Sequence, residues 1–365
     1  MIRMALDTTD ISSPARVLAA LRDLVPTIQA MSASLDRDGA FPHDALDLLA
    51  GSGVLAAFGG AGAAPLELME ALRLVGRANL SLGRIFEGHV NGARLIDWYG
   101  TDAQRGTLAI DLAAGRVFGV WNTETAPVTI IDGELAGFKT FATGAGHIDT
   151  AIVTANDPHG GRRMVLIDAA QPPRADPKSW PVSGMKATVS GTYDLTGLAA
   201  SGAALLGDPG DYEREPRFSA GAWRFTAVQL GGIERILKLL RDHLVATPSG
   251  DDPIHRARFA LALAETRSAA LWVRAAAKRA TRDDAGPDEI ALVLMTRGVV
   301  ERAGLAVMEA AHRSMGTRSY FSDGPVDMAC RDLGLYLRQP APDQALDRAA
   351  SAFLARDRWP DDPLW

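Results

Sequence analysis

The chain has 365 residues, 47% of them hydrophobic and 22% charged, which fits an ordinary globular protein of two or three domains with a sizeable core. A formal net charge of −6 gives no electrostatic basis for a nucleic-acid surface or an anionic membrane as partner. The one cysteine, Cys330, excludes an intrachain disulfide framework and a multi-cysteine metal site, and it reads as a small buried apolar residue.

The opening stretch MIRMALDTTDISSP lacks the apolar run of a signal peptide, and no charge-free stretch is long enough to span a bilayer. The expectation is a cytoplasmic enzyme with no metal, no nucleic acid and no membrane among its partners. Ser12 and Ser13 before Pro14 form a helix start, and Val17, Leu18, Leu21, Leu24 and Val25 follow at helical spacing until Pro26, which is expected to kink or end that helix. Further helices are predicted near Pro42, near Pro65 and through RIFEGHVNGARLIDWYG to Gly100. Another, capped by Thr101, ends at Gly115.

From about 117 to 207 the period changes to two. VFGVW, VTII, ELAGFKTFA, TAIVTA, RMVLIDA and KATVSGTYDL read as short strands, and Asp132-Gly133 between the second and third is a hairpin signal. Helices then return in three long stretches, FSAGAWRFTAVQLGGIERILKLLRDHLVAT, HRARFALALAETRSAALWVRAAAKRATRD and PDEIALVLMTRGVVERAGLAVMEAAHRSMG. The third has Pro287 in its first turn and Gly316 past its end. A fourth helical region near the C-terminus is interrupted by QPAPDQ. The sequence contains no internal repeat and no low-complexity tract. The predicted fold is α+β: an N-terminal helical domain over 1–115, a middle β-barrel or sandwich over 116–212, and a C-terminal four-helix bundle over 213–365.

Four motifs carry a resemblance. VFGVWNTETAP (117–127) is similar to a strand ending in a T-E-P turn, and GFKTFATGAGHIDTAIVTA (137–155) to G-x-K-x-F-I-T-N-G followed by a hydrophobic strand. HRARF places Arg256 three residues before Phe259, as in R-x-x-F-G, and SMGTRSYFSDGPVDMACRDLGLY is similar to a G-G-x-G-Y, P-V-E and R-D-A stretch. In this order, from about residue 12 to 355, they resemble the acyl-CoA dehydrogenase superfamily of flavoproteins.

The resemblance implies bound FAD, with its ring against the β-domain. It puts Trp121, Asn122 and Thr123 at one strand end beside the flavin and Phe141 and Thr143 at a second. It implies that Arg256 reaches the FAD pyrophosphate of a neighbouring subunit in a dimer or tetramer, with Phe259 beside it and Gly316 near the adenosine half. Each residue also has a plainer reading: aromatics in a β-domain are ordinarily core, an arginine among many on a helix is a surface charge, and a glycine after a helix is a C-cap.

The usual catalytic glutamate of such dehydrogenases falls on Pro340, about nine residues after Arg331, and the alternative base position, seven residues before Gly231, holds Arg224. Neither accepts a proton. Asp343 is the nearest carboxylate and also fits the N-cap of QALDRAASAF. Glu124 matches a residue that is structural in the family. Three functions stay open: an acyl-CoA dehydrogenase-like FAD oxidoreductase acting on an acyl thioester or related small molecule, a two-component flavin monooxygenase, or an inactive flavin-binding or assembly protein. The first two imply an electron-transfer partner or a flavin reductase.

Overall fold

The computed structural model describes residues 13–355 apart from 61, 159, 283 and 340. The chain divides into two compact units that meet between Tyr212 and Glu213.

The first unit opens with helices α1 (Pro14–Asp38), α2 (His43–Gly51), α3 (Val54–Gly59), α4 (Pro65–Ala78), α5 (Leu80–Tyr99) and α6 (Asp102–Ala113). Pro26 neither ends nor divides α1, contrary to the sequence expectation. The helix loses one backbone hydrogen bond there, while Val17, Leu18, Leu21, Val25 and Ile28 bury a continuous stripe on both sides of it. α3 was not foreseen: Gly53, at φ 77°, turns the chain sharply after α2. α6 starts with a reciprocal cap, in which Thr101 Oγ1 accepts from Gln104 N at 3.2 Å and Gln104 Oε1 accepts from Thr101 N at 2.9 Å.

Among the described residues nine short strands follow: β1 (Phe118–Trp121), β2 (Thr129–Ile131), β3 (Glu134–Ala136), β4 (Phe138–Lys139), β5 (Thr150–Asn156), β6 (Arg162–Asp168), β7 (Ala175–Asp176), β8 (Thr192–Asp194) and β9 (Leu205–Leu206). One sheet runs β3-β2-β5-β6-β9, with β1 also paired to β5, and a smaller antiparallel sheet runs β4-β8-β7. β1 and β2 both pair with β5 in parallel, so the larger sheet is mixed. The hairpin at Asp132-Gly133 forms with φ 53° and 81°, the mirror-image turn that this dipeptide favours.

Two predicted strands break. ELAGFKTFA divides at Gly137, φ 123°, into β3 and β4, which belong to different sheets. KATVSGTYDL begins as a 3₁₀ turn at Lys186–Thr188, flanked by Met185 and Val189 at positive φ, and only its end forms β8.

The second unit contains α7 (Arg217–Ala220), α8 (Trp223–Ala246), α9 (Pro253–Ala280), α10 (Pro287–Met315), α11 (Pro325–Tyr336) and α12 (Pro342–Leu354). α8, α9 and α10 pack on one another, α11 packs on α8, and α12 on α10. The stretch expected as a single helix from Phe218 is interrupted at Gly221 and Ala222, which separate the four-residue α7 from α8. Cys330 is buried, and burial pushes its thiol up to about 12. Pro340 lies outside the described residues. No described helix is long and apolar enough to cross a membrane.

Candidate functional site

The adjoining ends of β1 and β4 gather the residues singled out in the first unit. Trp121 is 1% exposed; its ring lies 4.8 Å from that of Tyr193, and its Nε1 donates to the Thr143 carbonyl at 3.0 Å. The indole is therefore an anchor, joining the two strand ends from beneath. Thr123 is exposed, and its carbonyl accepts from Thr140 N at 2.9 Å. Thr140 Oγ1 is buried there with no hydrogen-bond partner.

Asn122 is held from several sides. Its Oδ1 accepts from Thr154 Oγ1 at 2.7 Å, and its carbonyl accepts from Lys139 Nζ at 3.3 Å and from Arg162 Nη2 at 3.0 Å. Lys139 is fully buried and gives its three protons to the Asn122 carbonyl, Thr154 Oγ1 and the Glu124 carboxylate. Glu124 also pairs with Arg162 at 3.2 Å, consistent with a structural role. Burial draws the Lys139 ammonium down to about 8, against the opposing pull of Glu124. This frame fixes the 121–124 segment. Sequence reasoning passed over Lys139 and Arg162; the available signal was a lysine inside the G-x-K-x-F match, between two aromatic positions.

At the second strand end, Phe141 adopts φ 54° and is 59% exposed, with its ring edge-on to Trp180 at 5.9 Å. An exposed phenylalanine in a left-handed conformation is strained and is set by its surroundings. Thr143 Oγ1 lies 3.1 Å from Ser190 Oγ, which donates to Thr188 Oγ1 at 2.8 Å, which in turn donates to the Met185 carbonyl at 2.8 Å. Each hydroxyl has one proton, and those of Thr188 and Ser190 are spent in this chain. Thr143 must therefore donate to Ser190, which leaves its own oxygen as an acceptor.

In the second unit, Arg256 stands exposed in the first turn of α9. Its Nη1 donates to the Asp251 carbonyl at 2.6 Å and also to that of Gly250, leaving Nε and Nη2 for a ligand. Phe259 is half-buried one turn along. Gly316 ends α10 at φ 60°, ψ −146°, a conformation open essentially to glycine alone, and a Cβ there would meet nothing within 4 Å. Beside it His312 stacks on Tyr320 at 4.4 Å, and its Nδ1 lies 2.9 Å from Ser319 Oγ.

Arg224 is buried in α8 at 8% exposure. Asp343 is not the N-cap of α12, contrary to the sequence reading. The helix begins at Pro342 with Ala341 as N-cap at φ 47° and no side-chain cap, and Asp343 is an exposed carboxylate in the first turn. Proline at the first helical position starts the helix one residue before the aspartate can cap it. Among the described residues, no group of three or more His, Cys, Asp or Glu is gathered to hold a metal.

The acyl-CoA dehydrogenase N-terminal domain model matches residues 17–116, and the C-terminal domain model matches residues 215–336. The chain belongs to the acyl-CoA dehydrogenase superfamily. No curated protein matches the sequence.

Solved structures share the fold at low identity. Dibenzothiophene monooxygenase TdsC from Paenibacillus sp. A11-2 is 21% identical, with 93% of this chain and 97% of that chain covered at a TM-score of 0.80. A complex of TdsC with FMN and indole superposes at 0.83. Butyryl-CoA dehydrogenase from Megasphaera elsdenii is 18% identical over 96% and 100% of the two chains, at a TM-score of 0.81. Methanesulfinate monooxygenase MsuC from Pseudomonas fluorescens is 19% identical over 92% and 95%, at 0.77.

Proposed function

We propose that this protein is a flavin-dependent monooxygenase that takes up reduced flavin from a partner reductase and oxidises a small molecule. The observation that carries this reading is the pair of empty base positions: Pro340 and Arg224 stand where a dehydrogenase of this family needs a proton-accepting carboxylate. A positioned general base contributes about 10² to 10⁴ in rate. Asp343 supplies no substitute, because it sits exposed on the first turn of α12.

The residues at the strand ends fit a flavin. The orphaned Thr140 hydroxyl and the acceptor oxygen of Thr143 lie at neighbouring positions, beside exposed Thr123 and Phe141. Thr143 in its acceptor state suits a ring N–H, which a reduced flavin carries at N5 and an oxidised flavin does not. When bound, reduced flavin supplies two electrons to O₂, so that one oxygen atom enters the substrate and the other leaves as water. The chain's own part is to hold and orient. Asn122, fixed by Lys139 and Thr154, sets the backbone at the ring edge; Phe141 offers an aromatic surface; and the free donors of Arg256 suit a flavin phosphate.

The Arg256 role calls for a second copy of the chain, and an exposed apolar stripe on α9 supports one. Ile254, Ala257, Leu261, Ala264 and Leu271 repeat at near-heptad spacing on the outer face of α9, with Leu261 70% and Leu271 69% exposed. That stripe fits the same stripe of another subunit. Light scattering of the wild type and Leu261→Glu tests this, with a dimer or tetramer expected for the first and a smaller species for the second.

The reaction is tested by the spectrum of the purified protein and two assays. With FMN or FAD, NADH, a flavin reductase and O₂, the expected result is an oxygenated product and stoichiometric substrate loss. Anaerobic bleaching of bound flavin by an acyl-CoA at rates usual for dehydrogenases would overturn the monooxygenase reading in favour of dehydrogenation. A protein that takes up no flavin in either redox state would point to the assembly role.

A further inference from the structure

Two histidines that lie 104 residues apart in the chain meet on the surface of the first unit. His43 opens α2, and His147 sits in the turn that follows the second strand end, four residues after Thr143. Both are exposed, and neither takes part in the reaction proposed above. Their facing nitrogens, His43 Nε2 and His147 Nδ1, are 3.3 Å apart.

Phe41 holds the pair in place. Its ring stacks on His147 at 4.8 Å and 9°, and meets His43 edge-on at 4.8 Å and 63°. The backbone fixes the same arrangement: His43 N donates to the Phe41 carbonyl and His147 N to the Gly144 carbonyl, each at 2.9 Å. Gly144 has φ 71°, and a Cβ there would meet Ile148 Cγ2 at 2.6 Å and Phe41 Cε2 at 3.1 Å. The turn that carries His147 therefore closes against Phe41 only with glycine at that position.

Two arrangements could bring these nitrogens together, and they differ in geometry. A ring N–H aimed straight at the other nitrogen prefers about 3.0 Å, and at 3.3 Å that alignment would put the ring centres about 5.6 Å apart. Two nitrogens bound to one tetrahedral ion, each at about 2.05 Å, stand about 3.3 Å apart with ring centres about 5.2 Å apart. The rings here have 3.3 Å between nitrogens and 5.3 Å between centres. They are tilted off the straight line, as two ligands of one ion are. Burial and the neighbouring His43 both hold the His147 ring below its ordinary pKa, in the neutral form that binds a metal.

We propose that His43 Nε2 and His147 Nδ1 bind a divalent ion of the zinc class, which ties the start of α2 to the turn that follows Thr143. Imidazole nitrogens suit such an ion, whereas magnesium and calcium take oxygen ligands. Two protein ligands leave two tetrahedral positions, and the exposure of both rings lets water fill them. The N-terminus of α2 carries partial positive charge, which opposes a cation, and Asp44 in the same first turn offsets it. The site does not depend on the flavin reading, and flavin need not be bound for it to form.

The test is calorimetric titration of zinc chloride into the full chain, free of any histidine tag. One ion per chain is expected, with a dissociation constant on the order of 10 µM, since half the ligand set of a structural zinc site supplies about half its binding free energy. At about 1 mM zinc the melting temperature should rise by about 5 °C. His43→Gln and His147→Gln should each weaken binding by about tenfold or more and abolish that rise. The double variant should lose little beyond either single one, because the two ligands act as a unit. Both side chains are exposed, so the metal-free melting curves of the variants should match the wild type. Zinc uptake that survives both substitutions, no uptake by the wild type below about 1 mM, or an equal response to magnesium chloride would each overturn the proposal.

Discussion

The strand ends around Asn122 and the bend between α11 and α12 treat their polar groups in opposite ways. Around Asn122, a buried lysine spends all three protons, a carboxylate bridges two cations, and a side-chain amide is held by a threonine. At the bend, Ala341 is the N-cap at φ 47°, no side chain caps the helix, and the only carboxylate in that first turn is exposed. The difference separates two tasks. A platform for a planar ligand needs over-determined geometry, and the first region has it. A general base needs a carboxylate held in a cavity, and the second region has none among its described residues.

The sharpest way to break this comparison is Lys139→Met. Removing the ammonium leaves Glu124 half-paired and takes a donor from the Asn122 carbonyl. Loss of one partner from such a network should cost about 3 kcal/mol or more. Chemical denaturation measures it, and a loss below about 1 kcal/mol would show the frame to be weaker than its geometry. Adding Glu124→Gln should recover part of the loss, because the two residues are in contact and their effects do not add.

His89 extends the same logic beneath β1. Its Nε2 lies 3.0 Å from the Leu55 carbonyl, and its Nδ1 accepts from Phe118 N at 3.3 Å, so the ring is neutral and fully engaged between α3 and β1. Burial lowers its pKa from 6.5 to about 4. The folded value lies below the unfolded one, so its contribution is complete above about pH 6.5 and is lost as pH falls towards 4. The loss should reach about 3 kcal/mol. Stability measured from pH 7 to 4 should fall less steeply in His89→Gln. Parallel curves for the two proteins would remove His89 as the cause.

What was legible in the sequence was local. The α6 cap at Thr101, the Asp132-Gly133 turn and the proline that opens α10 depend on a few adjacent residues, and each was readable from them. The breaks at Gly137 and at Met185–Val189 were not, since Met185, Val189 and Phe141 take positive φ that their side chains disfavour and that only tertiary packing imposes. Pro26 misled for the converse reason: burial along α1 outweighed a local helix-breaking preference. At the site, motif spacing brought out Asn122, Thr123 and Thr143, but not the Lys139 and Ser190 side chains that fix their state, because those partnerships cross between strands and turns.

Arg256 sharpens the comparison from the second unit. With Nη1 tied to two carbonyls and the rest of its fork open, it is oriented without being consumed. Arg256→Ala should weaken flavin binding by about 2 kcal/mol, the order of one charge-assisted pair, with little change in the melting curve of the flavin-free protein. Fluorescence titration with reduced and oxidised FMN and FAD measures this. Equal affinity in the variant would return Arg256 to the ordinary surface charges of α9.

The smallest effect is expected at Asp343. It lies in the first turn of α12, where a negative charge interacts favourably with the helix N-terminus, but it is exposed and caps nothing. Asp343→Asn should therefore cost about 0.5 kcal/mol or less and leave turnover in the reductase-coupled assay unchanged. The companion variant Pro340→Glu restores a carboxylate where dehydrogenases of the family carry their base. It should add acyl-CoA bleaching of the flavin only if a thioester can reach the ring. Collapse of activity in Asp343→Asn, with the fold intact, would make Asp343 the missing base. The bend would then carry the base of the reaction.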